Sequence, residues 1–117
     1  MTLEKVYEVN TEGFRKLARV EDVPEGQMLR VLLDAEEWEV AITKINGQIH
    51  AFRDVCPHQA FPLSVGQMHG CQIVCAGHNW TFDVCTGAAI SPPIRKKLEL
   101  YPVKVENGDV WVQVRIW

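Results

Sequence analysis

Long apolar runs, an excess of positive charge and helical periodicity are all missing from this sequence, and each absence removes a class of protein. No stretch approaches the roughly 18 to 20 consecutive apolar residues that span a bilayer, so no membrane helix is expected. Lysine and arginine number 12 against 15 aspartate and glutamate, a formal net charge of −3, which leaves no basic surface for nucleic acid. No segment keeps apolar residues at helical spacing for more than about two turns, and no Gly-x-Gly-x-x-Gly fingerprint opens a nucleotide site. The start of the chain, Met1-Thr2-Leu3-Glu4-Lys5, lacks the basic-then-apolar order of a secretory signal, so a cytoplasmic protein is expected. Repeats, linkers and low-complexity tracts are absent as well. The 117 residues therefore read as one domain with one core, residues 1–12 being a mostly polar, loosely attached extension.

What is present is alternation of period two, with 47% hydrophobic and 23% charged residues overall, the balance of a globular all-β protein. Trp38, Val40 and Ile42 fall on one face of a strand and Glu39, Ala41 and Thr43 on the other; Asn46-Gly47 then supplies a tight hairpin turn into residues 49–52. A second hairpin is expected from residues 101–105 through Asn107-Gly108-Asp109 into residues 110–116. Asp22-Val23-Pro24-Glu25-Gly26 reads as a turn before a strand over residues 27–33. Short strands with turn signals every 8 to 12 residues suggest a small sandwich or barrel.

Residues 56–82 break this pattern. Alternation fades, and the segment holds no Asp, Glu, Lys or Arg, where the chain's own composition leads one to expect about six. Inside it lie two Cys-His pairs, Cys56-Pro57-His58 and, after sixteen residues, Cys75-Ala76-Gly77-His78. Clusters of cysteine and histidine in a cytosolic chain bind metal more often than they form disulfides. Tetrahedral zinc takes a Cys₂His₂ set too, but zinc fingers pair Cys with Cys and His with His, whereas here the order is interleaved. Cys71 and Cys85 belong to neither pair and read as buried thiols. His50 and His69 read as ordinary surface or half-buried histidines.

The spacing resembles that of the Rieske family, whose motif is Cys-x-His followed by Cys-x-x-His. Leu63, five residues after His58, and Trp80-Thr81-Phe82-Asp83 followed by Thr86-Gly87 and Pro92-Pro93 also look like the family's pattern, and the likeness covers roughly residues 14–115. The resemblance implies an all-β Rieske-type sandwich or barrel with a cluster-binding subdomain over residues 56–93. It implies one [2Fe–2S] cluster, with Cys56 and Cys75 on one iron and His58 and His78 on the other, and Pro92-Pro93 covering it. Two ferric ions, two sulfides and two thiolates sum to zero formal charge. Four thiolates would sum to −2, and an electron adds more easily to the neutral centre, which is why histidine ligation raises the potential to roughly −150 to +300 mV.

The departures narrow the branch. The cysteines that form a disulfide between the cluster loops in respiratory and photosynthetic Rieske proteins are Phe61 and Gly77 here, and Asn79 replaces a hydroxyl donor. Fewer donors to the cluster lower its potential within the class. The chain looks similar to soluble ferredoxins of bacterial multicomponent aromatic oxygenases, with Cys56-Pro57-His58-Gln59 and His78-Asn79-Trp80-Thr81-Phe82 leaning toward the toluene monooxygenase branch. That implies a non-catalytic electron carrier, monomeric when free, between a reductase and a terminal oxygenase, docking near His58, His78, Phe61 and Trp80. Arg95-Lys96-Lys97 reads as a solvated loop. The small subunit of an assimilatory nitrite reductase and a zinc-stabilised interaction module are the alternatives.

Overall fold

The computed structural model describes residues 9–33, 38–56, 62–75, 80–91 and 97–114. These form strands β1 (Phe14–Arg19), β2 (Met28–Leu33), β3 (Trp38–Ile45), β4 (Gln48–Arg53), β5 (Gln67–His69), β6 (Gln72–Val74), β7 (Thr81–Asp83), β8 (Ala89–Ser91), β9 (Leu100–Tyr101), β10 (Val103–Glu106) and β11 (Asp109–Gln113). The only helical turns among them are short 3-10 segments at Val20–Asp22 and Leu63–Val65, as the missing helical periodicity predicts. Residues 1–8, the larger part of the expected N-terminal extension, lie outside the described residues.

The strands build three antiparallel sheets in the orders β1-β11-β10, β2-β3-β4-β9 and β5-β6-β7-β8. Both predicted hairpins form, the second turning on Asn107-Gly108 alone, because the expected third turn residue, Asp109, already opens β11 and pairs with Glu106. Asn46 and Gly47 have φ of 52° and 80°, and Asn107 and Gly108 have 52° and 78°, the positive pair that matches the twist of the flanking strands. The first turn is held from outside as well, since the Glu25 carboxylate accepts the N–H groups of Asn46 and Gly47 at 2.9 and 3.1 Å. The predicted strand through residues 101–105 is broken instead. Tyr101 pairs with Ala51 in the second sheet, while Val103 pairs with Val112 in the first. Pro102 lies between them and has no N–H to give to a ladder, so the chain changes sheets there.

The second sheet is the middle layer. Val40, Ile42 and Ala51 face a core completed by Leu17, Val110 and Val112 of the first sheet. Ala41, Ile45 and Phe52 face the other way, into a core completed by Ile73 and Phe82 of the third. Alternation along β3 is thus read correctly, but both of its faces are buried, Thr43 included. Thr43 is accommodated because its hydroxyl donates to the Gln27 carbonyl at 2.5 Å.

Two contacts fix the long connection from β4 to β6. Asp54, fully buried, accepts the Ser64 N–H at Oδ1 (2.7 Å) and the Ser64 hydroxyl at Oδ2 (2.5 Å), and Arg30 Nε lies 3.3 Å from the same Oδ2. Hydrogen bonds to a buried charge are among the strong ones. Gly66 then passes so close to β6 that a Cβ there would collide with the Val74 carbonyl oxygen and stand 3.2 Å from that of Leu63. Its φ of −83° suits any residue, so space alone demands glycine.

Two stability predictions result, both read by urea unfolding. Asp54→Ala, which leaves both Ser64 donors without their acceptor, is expected to cost about 2–3 kcal/mol, and Ser64→Ala about 1 kcal/mol; equal small losses would remove the clamp from the account. Gly66→Ala is expected to cost about 2–3 kcal/mol by overpacking against backbone that cannot yield, and a neutral result would contradict the close approach.

Candidate metal centre

Cys56 follows β4 after the anchored Asp54, and Cys75 follows β6 directly. Both thiols are buried, at 1% and 0% exposure, and both belong to the apolar cluster of Phe52, Leu63, Ile73 and Phe82. Neither is in a disulfide. Two segments far apart in sequence therefore each deliver one sulfur to the same water-poor core. Cys75 N–H donates to the Trp80 carbonyl at 2.7 Å and Val74 pairs with Thr81, so β6 and β7 are held together as far as Cys75 and Trp80. His58, His78 and Phe61 lie outside the described residues, as do Gly77, Asn79, Pro92-Pro93 and Arg95-Lys96.

The charge-free segment ends at each side on an acid that is occupied locally. Asp54 is taken up by Ser64 and Arg30. Asp83 Oδ1 accepts the N–H groups of Cys85 and Thr86 at 2.8 and 3.1 Å. Leu63 and Phe82 are fully buried. Trp80 is half-buried, packs against the same core, and lies 6.4 Å from the Phe82 ring, tilted by 40°. Two soft thiolate donors in an apolar setting, each followed in sequence by a histidine, form a donor set that fits an iron–sulfur group.

The reading of Cys71 and Cys85 as separate buried thiols is wrong. They are half-buried and joined as a disulfide, with Cα atoms 5.9 Å apart. The cause is the hairpin register: Gln72 pairs with Asp83 and Val84 N–H donates to the Cys71 carbonyl at 2.8 Å, which brings the two cysteines together at the hairpin's base. His50 in β4 is half-buried, its Nε2 3.8 Å from Cys85 Sγ. His69 is exposed at the end of β5. Sequence reasoning also missed Asp54, Ser64 and Gly66. The two acids framing residues 56–82 are a visible signal for the first, while the Gly66 contact is tertiary and leaves none.

A family model of the Rieske [2Fe-2S] domain matches residues 13–102, taking in β1 through β9 and both Cys-His pairs. The ferredoxin component of the naphthalene 1,2-dioxygenase/salicylate 5-hydroxylase systems of Ralstonia sp is 36% identical over 104 residues, 89% of this chain and 98% of that one. The biphenyl dioxygenase ferredoxin subunit of Pseudomonas sp. (strain KKS102) is 38% identical over 100 residues, 85% of this chain and 90% of that one. Among solved structures, a chain from the complex of reduced oxygenase and oxidized ferredoxin in carbazole 1,9a-dioxygenase superposes with a TM-score of 0.78 at 29% identity, covering 87% of this chain and 94% of that one. Buried paired thiols, three antiparallel sheets and these likenesses agree: the chain belongs to the Rieske [2Fe–2S] domain family.

Proposed function

We propose that this protein is the ferredoxin of a multicomponent oxygenase system, taking single electrons from a reductase and passing them to a terminal mono- or dioxygenase. The observation that carries the reading is the burial of Cys56 and Cys75 in one apolar core, outside the disulfide, in a chain whose relatives are ferredoxin components of such systems. Cys56, His58, Cys75 and His78 are the four ligands, within a cluster-binding subdomain over residues 56–93 of a single domain. When bound, the cluster supplies one-electron chemistry.

The chain's own residues do the rest. Cys56 and Cys75 bring the negative charge, and His58 and His78 bind as neutral imidazoles. Phe52, Leu63, Ile73 and Phe82 keep water from the sulfurs. Four protein ligands leave no open metal position for substrate, so the protein is a carrier and not itself an enzyme. Trp80, with its ring partly exposed, and the segment containing Phe61 form the docking tip near the two histidines. A cytoplasmic location and a monomeric free state complete the reading.

Absorption and electron-spin resonance of anaerobically purified protein test the centre: a coloured protein with a one-electron [2Fe–2S] signal after reduction is expected, and a colourless, zinc-loaded, silent one overturns the reading. Reconstitution tests the client. Hydroxylation of an aromatic substrate by a reductase and oxygenase pair should depend on this chain, and support of nitrite reduction instead would assign it elsewhere. His78→Cys is expected to lower the potential toward the roughly −400 mV of all-cysteine centres, measured by voltammetry on protein that retains its cluster; a rise would contradict the charge argument.

A further inference from the structure

The β6–β7 hairpin carries sulfur at both ends. Cys75 sits at the tip in the apolar core, and three strand residues away Cys71 is bonded to Cys85 at the base. The base pair packs against the same core but is only half-buried. Cys85 lines a cleft of about 270 Å³ together with His50, Val84, Leu100 and Tyr101, whereas Cys71 is not part of that lining. His50 Nε2 is within hydrogen-bonding range of Cys85 Sγ at 3.8 Å. A staple with only a structural task needs neither an open approach to one sulfur nor an imidazole beside it.

We propose that Cys71 and Cys85 form a thiol–disulfide exchange site for low-molecular-weight monothiols, with Cys85 the sulfur attacked through the cleft and Cys71 the resolving partner. A monothiol, as its thiolate, attacks Cys85 Sγ; the Cys71–Cys85 bond breaks, and Cys71 leaves as a thiolate and takes a proton. A second monothiolate attacks the outer sulfur of the mixed disulfide, releasing the oxidised thiol dimer and a Cys85 thiolate. In sum, two thiols are oxidised to one disulfide, and the protein disulfide gains two electrons and two protons.

His50 acts on the second step and on its reverse. An imidazole N–H beside a departing or attacking thiolate stabilises it and raises its population. Asp83 works against this, its carboxylate lying within 4.8 Å of both sulfurs, although one oxygen is engaged by the Cys85 and Thr86 N–H groups. Tyr101, across the cleft, is the other titratable side chain of the lining. The site is separate from the cluster thiols, since Cys56 and Cys75 are outside the disulfide.

The test equilibrates the cluster-loaded protein with graded ratios of reduced to oxidised glutathione under anaerobic conditions, alkylates it, and locates modified cysteines by mass spectrometry. Visible absorption is followed throughout. The pair is expected to pass between disulfide and dithiol across the series with the cluster absorption retained. In Cys71→Ser the glutathione adduct is expected at Cys85, Cys85→Ser is expected to form little adduct at Cys71, and His50→Gln in the Cys71→Ser background is expected to slow adduct formation by roughly five- to tenfold. A pair locked in one state at every ratio, adducts formed equally on either cysteine, an unchanged rate in His50→Gln, or reduction only with loss of the cluster would each overturn the proposal. Failure of the cluster reading is distinguishable, because it would appear as a colourless starting protein before any thiol is added.

Discussion

A sheet that is apolar on both faces has to be covered twice, and the β2-β3-β4-β9 sheet imposes that requirement on everything around it. Val40, Ile42 and Ala51 need one cover; Ala41, Ile45 and Phe52 need another. The β1-β11-β10 sheet supplies the first as an ordinary sandwich. The second comes from strands of three residues each, β5 to β8, which are too short to hold a core without a longer sheet behind them. The short-stranded layer exists because Phe52 and Ile45 give Ile73 and Phe82 something to bury against. Cys56 and Cys75 enter the same interface, so the sulfur pocket is a by-product of how the middle sheet is covered.

Burial alone would leave the two cysteine-bearing segments free to slide against each other. The Asp54 carboxylate prevents this for the first, joining the end of β4 to Ser64 across the intervening residues. Gly66 prevents it between the two, by letting backbone meet backbone at Val74, immediately before Cys75. Sites held by locked neighbours keep their geometry through a reaction cycle, and an electron carrier gains most from a centre that does not rearrange. No Asp, Glu, Lys or Arg occurs between residues 56 and 82, so no mobile charge competes within the segment. The acids at its borders, Asp54 and Asp83, are spent on local donors.

Much of this was legible in the sequence, and the illegible parts share a cause. The two Asn-Gly turns and the alternation of β3 follow from local rules that act within a few residues. The Cys-His pairs were readable because metal ligation constrains residue type and spacing together. The change of sheet at Pro102 was available in principle, since proline marks a break, but which sheet receives each half is decided by partners far along the chain. The same holds for Gly66 and for the second buried face of β3. The Cys71–Cys85 bond depends on the register in which β6 pairs with β7, which residue type and spacing alone do not give.

Four cysteines in thirty residues thus serve two chemistries, and residue type does not tell them apart. Cys75 and Cys71 are separated by one three-residue strand and pack against the same core, yet Cys75 is enclosed by it while Cys71 is half-buried and tied to a sulfur that borders a cleft and a histidine. A thiol enclosed by hydrocarbon is kept from exchange and oxidation and is suited to hold metal; one beside an imidazole and open to solvent is suited to react. The short strand β6 carries the chain from one environment to the other. Cys75, at one end of the strand, is enclosed by the core, while the Cys71–Cys85 bond at the other end is half-buried and keeps Cys85 at the cleft.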